Sequence, residues 1–219
     1  MNNDTLSQTL DELFAPESYQ GHLWADQYKI AGLNLIDEIN LLDPDLVIDA
    51  GCAHNRFKGH IKNLIGFDRT QFPFADLCMS IESAPFKEEC ADVVLALGSI
   101  HFGDHALIEQ QINKVVSWTK PGGFIVMRAN SKLHFEDKFS DIRFCWSDRD
   151  FEYFTQKHNL LVHRGPVIEQ RYYNSNDDVL RAEKMVWWWQ KPGQRKKYKI
   201  DPVTCQLTER SQLEIKTDV

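Results

Sequence analysis

An apolar run, Leu46-Val47-Ile48, stops at Asp49-Ala50-Gly51-Cys52-Ala53-His54-Asn55, and a second, Leu64-Ile65-Gly66-Phe67, ends in Asp68. A strand that breaks off at a turn of small residues lets backbone N–H groups approach a ligand. A carboxylate ending the next strand can grip a ribose diol through two hydrogen bonds. This is the layout of a nucleotide-binding crossover, and it commits the chain to an α/β fold with ligands beyond the carboxyl ends of the strands. Two cofactor classes suit it, S-adenosylmethionine and a dinucleotide.

The rest of the chain continues the pattern. Short apolar runs at strand length follow at Leu77–Ile81, Val93–Leu97 and Phe124–Met127. Leu107, Ile108, Ile112, Val115 and Val116 recur at helical spacing between the last two, closed by Lys120-Pro121-Gly122-Gly123. Upstream, Leu23 to Ile39 is predicted as a helix that stops before Pro44. Ser147-Asp148-Arg149-Asp150 reads as the N-cap of a helix over Phe151–His158. Leu160–Val162, extending to Val167-Ile168, and Met185–Trp189 read as two final strands joined by the polar turn Asn174–Asp178. The expected fold is α/β, a Rossmann-like, mostly parallel seven-stranded sheet flanked by helices, with an antiparallel C-terminal strand pair. In that pair Trp187-Trp188-Trp189 alternates faces and packs both sides. The predicted organisation is one domain over 23–190, an N-terminal arm over 1–22, mobile or loosely helical and broken by Pro16, and a basic, polar tail over 191–219.

Bulk properties exclude several classes. The 219 residues are 42% hydrophobic and 26% charged, ordinary for one globular domain. Cys52, Cys78, Cys90, Cys145 and Cys205 are odd in number and form no C-x-x-C pair, so reduced, mostly buried thiols are expected rather than disulfides or a metal site. No apolar run reaches membrane-span length and Met1–Asp4 lacks signal-peptide features, which predicts a cytoplasmic protein without a membrane partner. A net charge of −7 disfavours a nucleic-acid coat. The segment Lys191, Arg195, Lys196, Lys197 and Lys199 is read first as a solvated loop and second as a patch for an anionic partner such as nucleic acid.

The turn itself separates the two cofactors. A dinucleotide fingerprint asks for G-x-G-x-x-G, whereas here only Gly51 is glycine and Ala53 and Asn55 stand at the other positions. A pyrophosphate needs the closest backbone approach, which Ala53 hinders. A cofactor without phosphates tolerates it.

Four segments together resemble the class I S-adenosylmethionine-dependent methyltransferases of small-molecule type, over about residues 45–190. Asp49–Asn55 is similar to that family's D-x-G-C-G-x-G. Gly66-Phe67-Asp68 resembles its second-strand G-x-D. Ala84-Pro85-Phe86 followed by Ala91-Asp92-Val93-Val94 resembles its L-P-F and D-V-V sequence, and Lys120-Pro121-Gly122-Gly123 its turn before the fifth strand. The interval from Asp49 to Asp68 leaves space for only a short first crossover helix, and Arg69–Phe74 leaves none for the second. The chain thus resembles compact variants, of the kind often encoded by phages. The resemblance implies S-adenosylmethionine as cofactor, with S-adenosylhomocysteine as product. It places Asp49, Gly51, Cys52, Ala53, Asn55, Asp68 and Arg69 at the cofactor. Ser80 stands where the family carries an acid beside the adenine, with the Ile81 backbone and Glu82 nearby. Gly98 and Ser99 would lie along the methionine part.

Methyl transfer demands alignment and exclusion of water, and a base only where the nucleophile must lose a proton. His101 is the candidate base, because an unperturbed imidazole titrates near working pH. Packing at the sheet edge is its alternative role. Arg128 is a candidate for an anionic substrate group or for pairing with Glu136 or Asp137, and His105, Trp24 and Tyr28 are candidates for lining the acceptor site. The N/D-P-P-Y/F signature of DNA amino-methyltransferases is missing. The expected activity is methyl transfer to a small-molecule acceptor. A non-catalytic S-adenosylmethionine-binding module and a nucleic-acid methyltransferase are the alternatives.

Overall fold

Strands that are buried on both faces need near-continuous apolar sequence, and β1 (Val47–Ala50) and β4 (Ala91–Leu97) supply it. The computed structural model describes residues 3–13, 15, 34–133, 140–172, 180–195, 198–200 and 207–209. β2 (Leu64–Asp68) and β3 (Leu77–Cys78) add to one side of β1, and β5 (Thr119–Leu133) adds to β4. β6 (Leu161–Tyr172) and β7 (Leu180–Gln190) complete a seven-stranded sheet in the order β3-β2-β1-β4-β5-β7-β6. The β1, β2, β3, β4 and β5 pairings are parallel, and β7 runs antiparallel to both β5 and β6. β8 (Tyr198–Ile200) and β9 (Leu207–Glu209) form a separate antiparallel pair.

Alternation along the strands sorts side chains into two cores. One face takes Ile48, Val94, Ala96, Ile125, Met127, Trp187 and Trp189. It is covered by α3 (His105–Trp118) through Ile108, Ile112 and Val115 and by α4 (Asp148–Lys157) through Phe151 and Phe154. The other takes Val47, Val93, Leu95, Phe124, Val126 and Trp188, under α2 (Leu35–Leu41) and Phe57 and Ile61. The three tryptophans divide as alternation requires, each at most 2% exposed. Each buried indole removes about 200 Å² from water, about 5 kcal/mol of gross transfer energy. Caps agree with sequence: Asp104 accepts from the Leu107 N–H at 3.0 Å, and Ser147 with Asp150 forms a capping box.

Several expectations are corrected. The first crossover holds no helix. Residues 51–63 run as successive turns, because Ala53, Asn55 and Asn63 adopt positive φ and Gly59 sits at +80°, each incompatible with helical continuation. The third strand stops at Cys78 instead of Ile81, since the chain turns through Ser80–Ser83. Lys120–Gly123 lies within β5, which starts at Thr119 with a register shift opposite Ala91/Val93. Cys78 and Cys145 are exposed thiols, whereas Cys90 is buried. The helix expected from Leu23 is described only over Leu35–Leu41; Trp24, Tyr28, Glu136, Asp137, Cys205 and the turn Asn174–Asp178 lie outside the described residues. Within the arm expected over 1–22, residues Asn3–Leu13 form the helix α1, whose Leu6 and Leu10 pack on Ile142. No helix among the described residues is long and apolar enough to cross a membrane.

Candidate functional site

The turn after β1 is built against β2 and β4. The Gly51 and Cys52 N–H groups both donate to the Phe67 carbonyl, at 2.8 and 3.0 Å. Gly51 has φ +78°, and a Cβ there would lie 2.3 Å from Ser99 Cβ, so only glycine fits between the ends of β1 and β4. Ala53 and Asn55 both take φ +46°. That conformation directs the Ala53 N–H to Asp68 Oδ2 at 2.9 Å, while the Thr70 N–H donates to Oδ1 at 3.0 Å. The Asn55 amide donates to the Phe74 carbonyl at 2.8 Å and to Asp76 Oδ2 at 3.3 Å, fastening the short second crossover to the turn. It fills the space above Gly66, where a Cβ would come within 2.6 Å of Asn55 Nδ2.

Two buried carboxyls, Asp49 and Asp68, therefore end adjacent strands, 4% and 8% exposed. Burial, reinforced by the neighbouring Asp68 charge, raises Asp49 from 3.8 to about 7. Burial also raises Asp68, against the N–H bonds of Thr70 and Ala53 that favour its anion. The Cys52 thiol is pushed up by burial and by both carboxylates, so it stays protonated. A carboxyl in this position gains from receiving a positive charge. The Asp68 carboxylate accepts from the Ala53 and Thr70 N–H groups, with the Arg69 backbone N–H beside them, and of its roughly four lone-pair sites it keeps acceptor capacity for a hydroxyl. A Cβ placed on Gly98 would meet only His101 Cε1 at 3.7 Å and Arg128 Nη2 at 3.9 Å, which leaves a cradle at the end of β4. The donor set and cradle fit S-adenosylmethionine, a diol with an ammonium and a sulfonium.

The other residues singled out in the sequence are dispersed around this centre. Arg69 pairs with Asp11 of α1 at 2.7 Å. Ser80 Oγ lies 3.1 Å from Ser83 Oγ, Ile81 is buried in the core, and Glu82 accepts from the Gln111 side chain of α3. Ser99 Oγ is buried beside Gly51 without a hydrogen-bond partner. His101 is 5% exposed, and burial together with the charges of Lys184, Arg128 and Arg143 holds it well below the usual imidazole range. It is therefore neutral at working pH. Arg128 donates from Nη2 to the Leu97 carbonyl at 3.4 Å. His105 is stacked on Phe154 of α4 with ring centroids 5.5 Å apart. Among the described residues no group of His, Cys, Asp and Glu is arranged to hold a metal.

Two features escape sequence reasoning. Lys184, buried on β7, donates to Asn130 Oδ1 across the β5–β7 pair. A charged residue abutting the apolar run Met185–Trp189 was the available signal. Lys120, fully buried, bonds Asp92 at 2.9 Å and Asp45 at 3.4 Å. The basic segment is partly absorbed into the same region: Lys191 pairs with Glu89 at 3.1 Å and Arg195 with Asp92 at 3.4 Å. Lys196 and Lys197 lie outside the described residues.

A parallel sheet ending in a reversed β7 beside β5, with the glycine turn after β1 and an acid ending β2, is the class I S-adenosylmethionine-dependent methyltransferase fold. Solved structures carry the likeness. A 1,6-didemethyltoxoflavin N1-methyltransferase from Burkholderia thailandensis, bound to 1,6-didemethyltoxoflavin and S-adenosylhomocysteine, superposes with TM-score 0.63 at 11% identity, over 88% of this chain and 92% of that one. The N-methyltransferase NodS from Bradyrhizobium japonicum with S-adenosylhomocysteine gives 0.61 at 13% identity, over 86% and 99%. The [4+2]-cyclase SpnF gives 0.54 at 13%, over 74% and 80%. At these identities the likeness is one of fold. The sequence matches no protein-family profile and no curated protein.

Proposed function

We propose that this chain is an S-adenosylmethionine-dependent methyltransferase acting on a small-molecule acceptor. The observation that carries the reading is the pair of buried carboxyls, Asp49 and Asp68, closing adjacent parallel strands around a turn that only glycine can make at position 51. When bound, the cofactor supplies a methyl group already activated on sulfur, transferred by in-line displacement. Asp68 would hold the ribose diol through its remaining acceptor capacity. Asp49 would face the cationic methionine end, its proton leaving as that charge arrives. Ser99 and Gly98 would flank the transferable group at the end of β4, and Ser80 with the Ile81 backbone would meet the adenine. His101, neutral and buried, is in the protonation state a base requires. Trp24 and Tyr28 remain proposed contributors to the acceptor side, and residues 23–190 the proposed catalytic unit.

Two observations favour a second reading, binding without methyl transfer: Ala53 and Asn55 hold φ +46° where the family carries glycines, and the fold is shared by the [4+2]-cyclase SpnF. Two measurements separate the readings. Calorimetry is expected to show S-adenosylhomocysteine binding, lost in Asp68→Ala. Incubation with cofactor labelled on the methyl group is expected to label a small molecule in a cell extract. No binding, with Asp68→Ala equal to the parent, overturns the cofactor assignment. Binding without label transfer leaves the second reading.

A further inference from the structure

The N-terminal helix ties together loops that stand on either side of the β1 turn. Near the C-terminal end of α1, Asp11 accepts from Arg69, the residue that follows Asp68 at the close of β2. The bonds run from Nη2 at 2.7 Å and from Nε at 3.3 Å. Further towards the other end, Leu6 and Leu10 pack with Phe102 and Leu107, which follow β4, and with Ile142, which follows β5. The fit is close: Gly103 has φ +96°, and a Cβ there would lie 3.1 Å from Leu6 Cδ2 and 2.7 Å from Leu107 Cδ2. The Gly103 N–H donates to the Ile142 carbonyl at 2.7 Å, so the two loops present one surface to the helix. β2 and β4 flank β1 in the sheet, and their ends lie about 10 Å apart at two strand spacings. The 11 residues of α1 span about 16 Å. The helix therefore crosses the carboxyl end of the sheet, with the Gly51 turn between its two anchorages.

Both anchorages are weak. The Asp11 side chain is 64% exposed, and an exposed ion pair favours a closed state by a factor of only about two to five. A helix of this length is marginal in water by itself, so α1 persists through the contacts of Leu6 and Leu10 and opens as a local unit. Its closed position also covers the chemistry beneath. Phe102, packed against α1, lies on the His101 imidazole with ring centroids 4.4 Å apart. We infer that α1 is a gate over the turn. S-adenosylmethionine and its product pass only while the Asp11–Arg69 pair and the leucine contacts are broken, and α1 closing again over an occupied turn keeps water from the transferable group. The inference rests on the methyltransferase reading for the identity of the ligand. Opening is a step common to entry and exit, so loosening the helix speeds both.

The test measures association and dissociation rates of S-adenosylhomocysteine on the full chain by stopped-flow tryptophan fluorescence, with circular dichroism to check folding. Leu10→Ala empties part of the contact with Ile142 and should raise both rates at least about tenfold. Asp11→Asn removes the ion pair and should raise both about two- to fivefold. Hydrogen exchange of the α1 amides should quicken by similar factors while the amides of β1 and β4 exchange as in the unaltered chain. A helix that served stability alone would quicken the strands as well and leave both rates unmoved. Unchanged rates in folded Leu10→Ala, or slower association in either variant, would overturn the inference. If Leu10→Ala fails to fold, Asp11→Asn decides, and unchanged rates there overturn the gate. Binding at unchanged rates leaves the methyltransferase reading standing. No binding of S-adenosylhomocysteine by the unaltered chain overturns that reading, and the gate with it.

Discussion

Replacing Asp49 by Asn should make the protein more stable and a poorer cofactor binder. Burial and the Asp68 charge raise the Asp49 carboxyl from 3.8 to about 7. Between those values the folded chain retains a proton that the unfolded chain has released. The stabilisation conferred by the protonated carboxyl is complete below pH 3.8 and is lost as pH rises towards 7. At about 1.4 kcal/mol per pH unit the whole interval is worth at most about 4 kcal/mol. Asparagine is nearly isosteric and cannot ionise, so the variant escapes the loss. Urea unfolding followed by tryptophan fluorescence should show it more stable than its parent at pH 8, by up to that ceiling, with the difference shrinking towards pH 4.5. Calorimetry should show the opposite trend for function: S-adenosylhomocysteine affinity falls at least about tenfold in the variant, and in the parent it rises with pH through 7. A variant whose stability relative to its parent is the same at both pH values would refute the reasoning, because the parent's carboxyl would then ionise without penalty.

Other substitutions test the frame around the site. Gly51→Ala forces a Cβ into φ +78° and onto Ser99, which should cost about 2 kcal/mol or more in urea unfolding; adding Ser99→Gly should recover the part due to overlap. Lys120→Met leaves Asp45 and Asp92 buried beside a neutral side chain, and a loss of about 3–5 kcal/mol is expected. Ser147→Ala removes the capping box of α4 and should lower stability by about 1 kcal/mol without changing S-adenosylhomocysteine affinity in calorimetry.

The parallel half of the sheet was legible because its strands are buried on both sides and read as unbroken apolar runs, Leu46–Ile48 and Val93–Leu97 among them. The antiparallel end was legible through Trp187–Trp189, whose alternation places one indole on the opposite face from the other two. The first crossover was misjudged because spacing alone gives room for a helix, whereas the backbone of Ala53, Asn55 and Asn63 turns left-handed through side chains for which that conformation is unusual. The start of β5 was obscured by Pro121 and the two glycines, which punctuate a chain locally yet here lie in a strand pinned by buried Lys120. At the site, Asp49 and Asp68 were visible as strand-terminal acids. The Asn130–Lys184 pair was not, because it joins β5 to β7, two strands separated in sequence by all of β6.

The clasp between Asn55 and the loop ending at Asp76 has a mechanical consequence. In a crossover closed by a helix, the turn beneath a ligand is braced by that helix and the following loop can loosen independently. Here the brace is a few polar bonds: Asn55 to Phe74 and Asp76, Gly66 to Asp76, and Lys58 to Asp76. Loosening residues 69–76 releases the turn as well, so loop order and occupancy of the turn are linked equilibria. A ligand on the turn would slow amide exchange in a loop that it does not touch, and a single cut in that loop would weaken the ligand's hold.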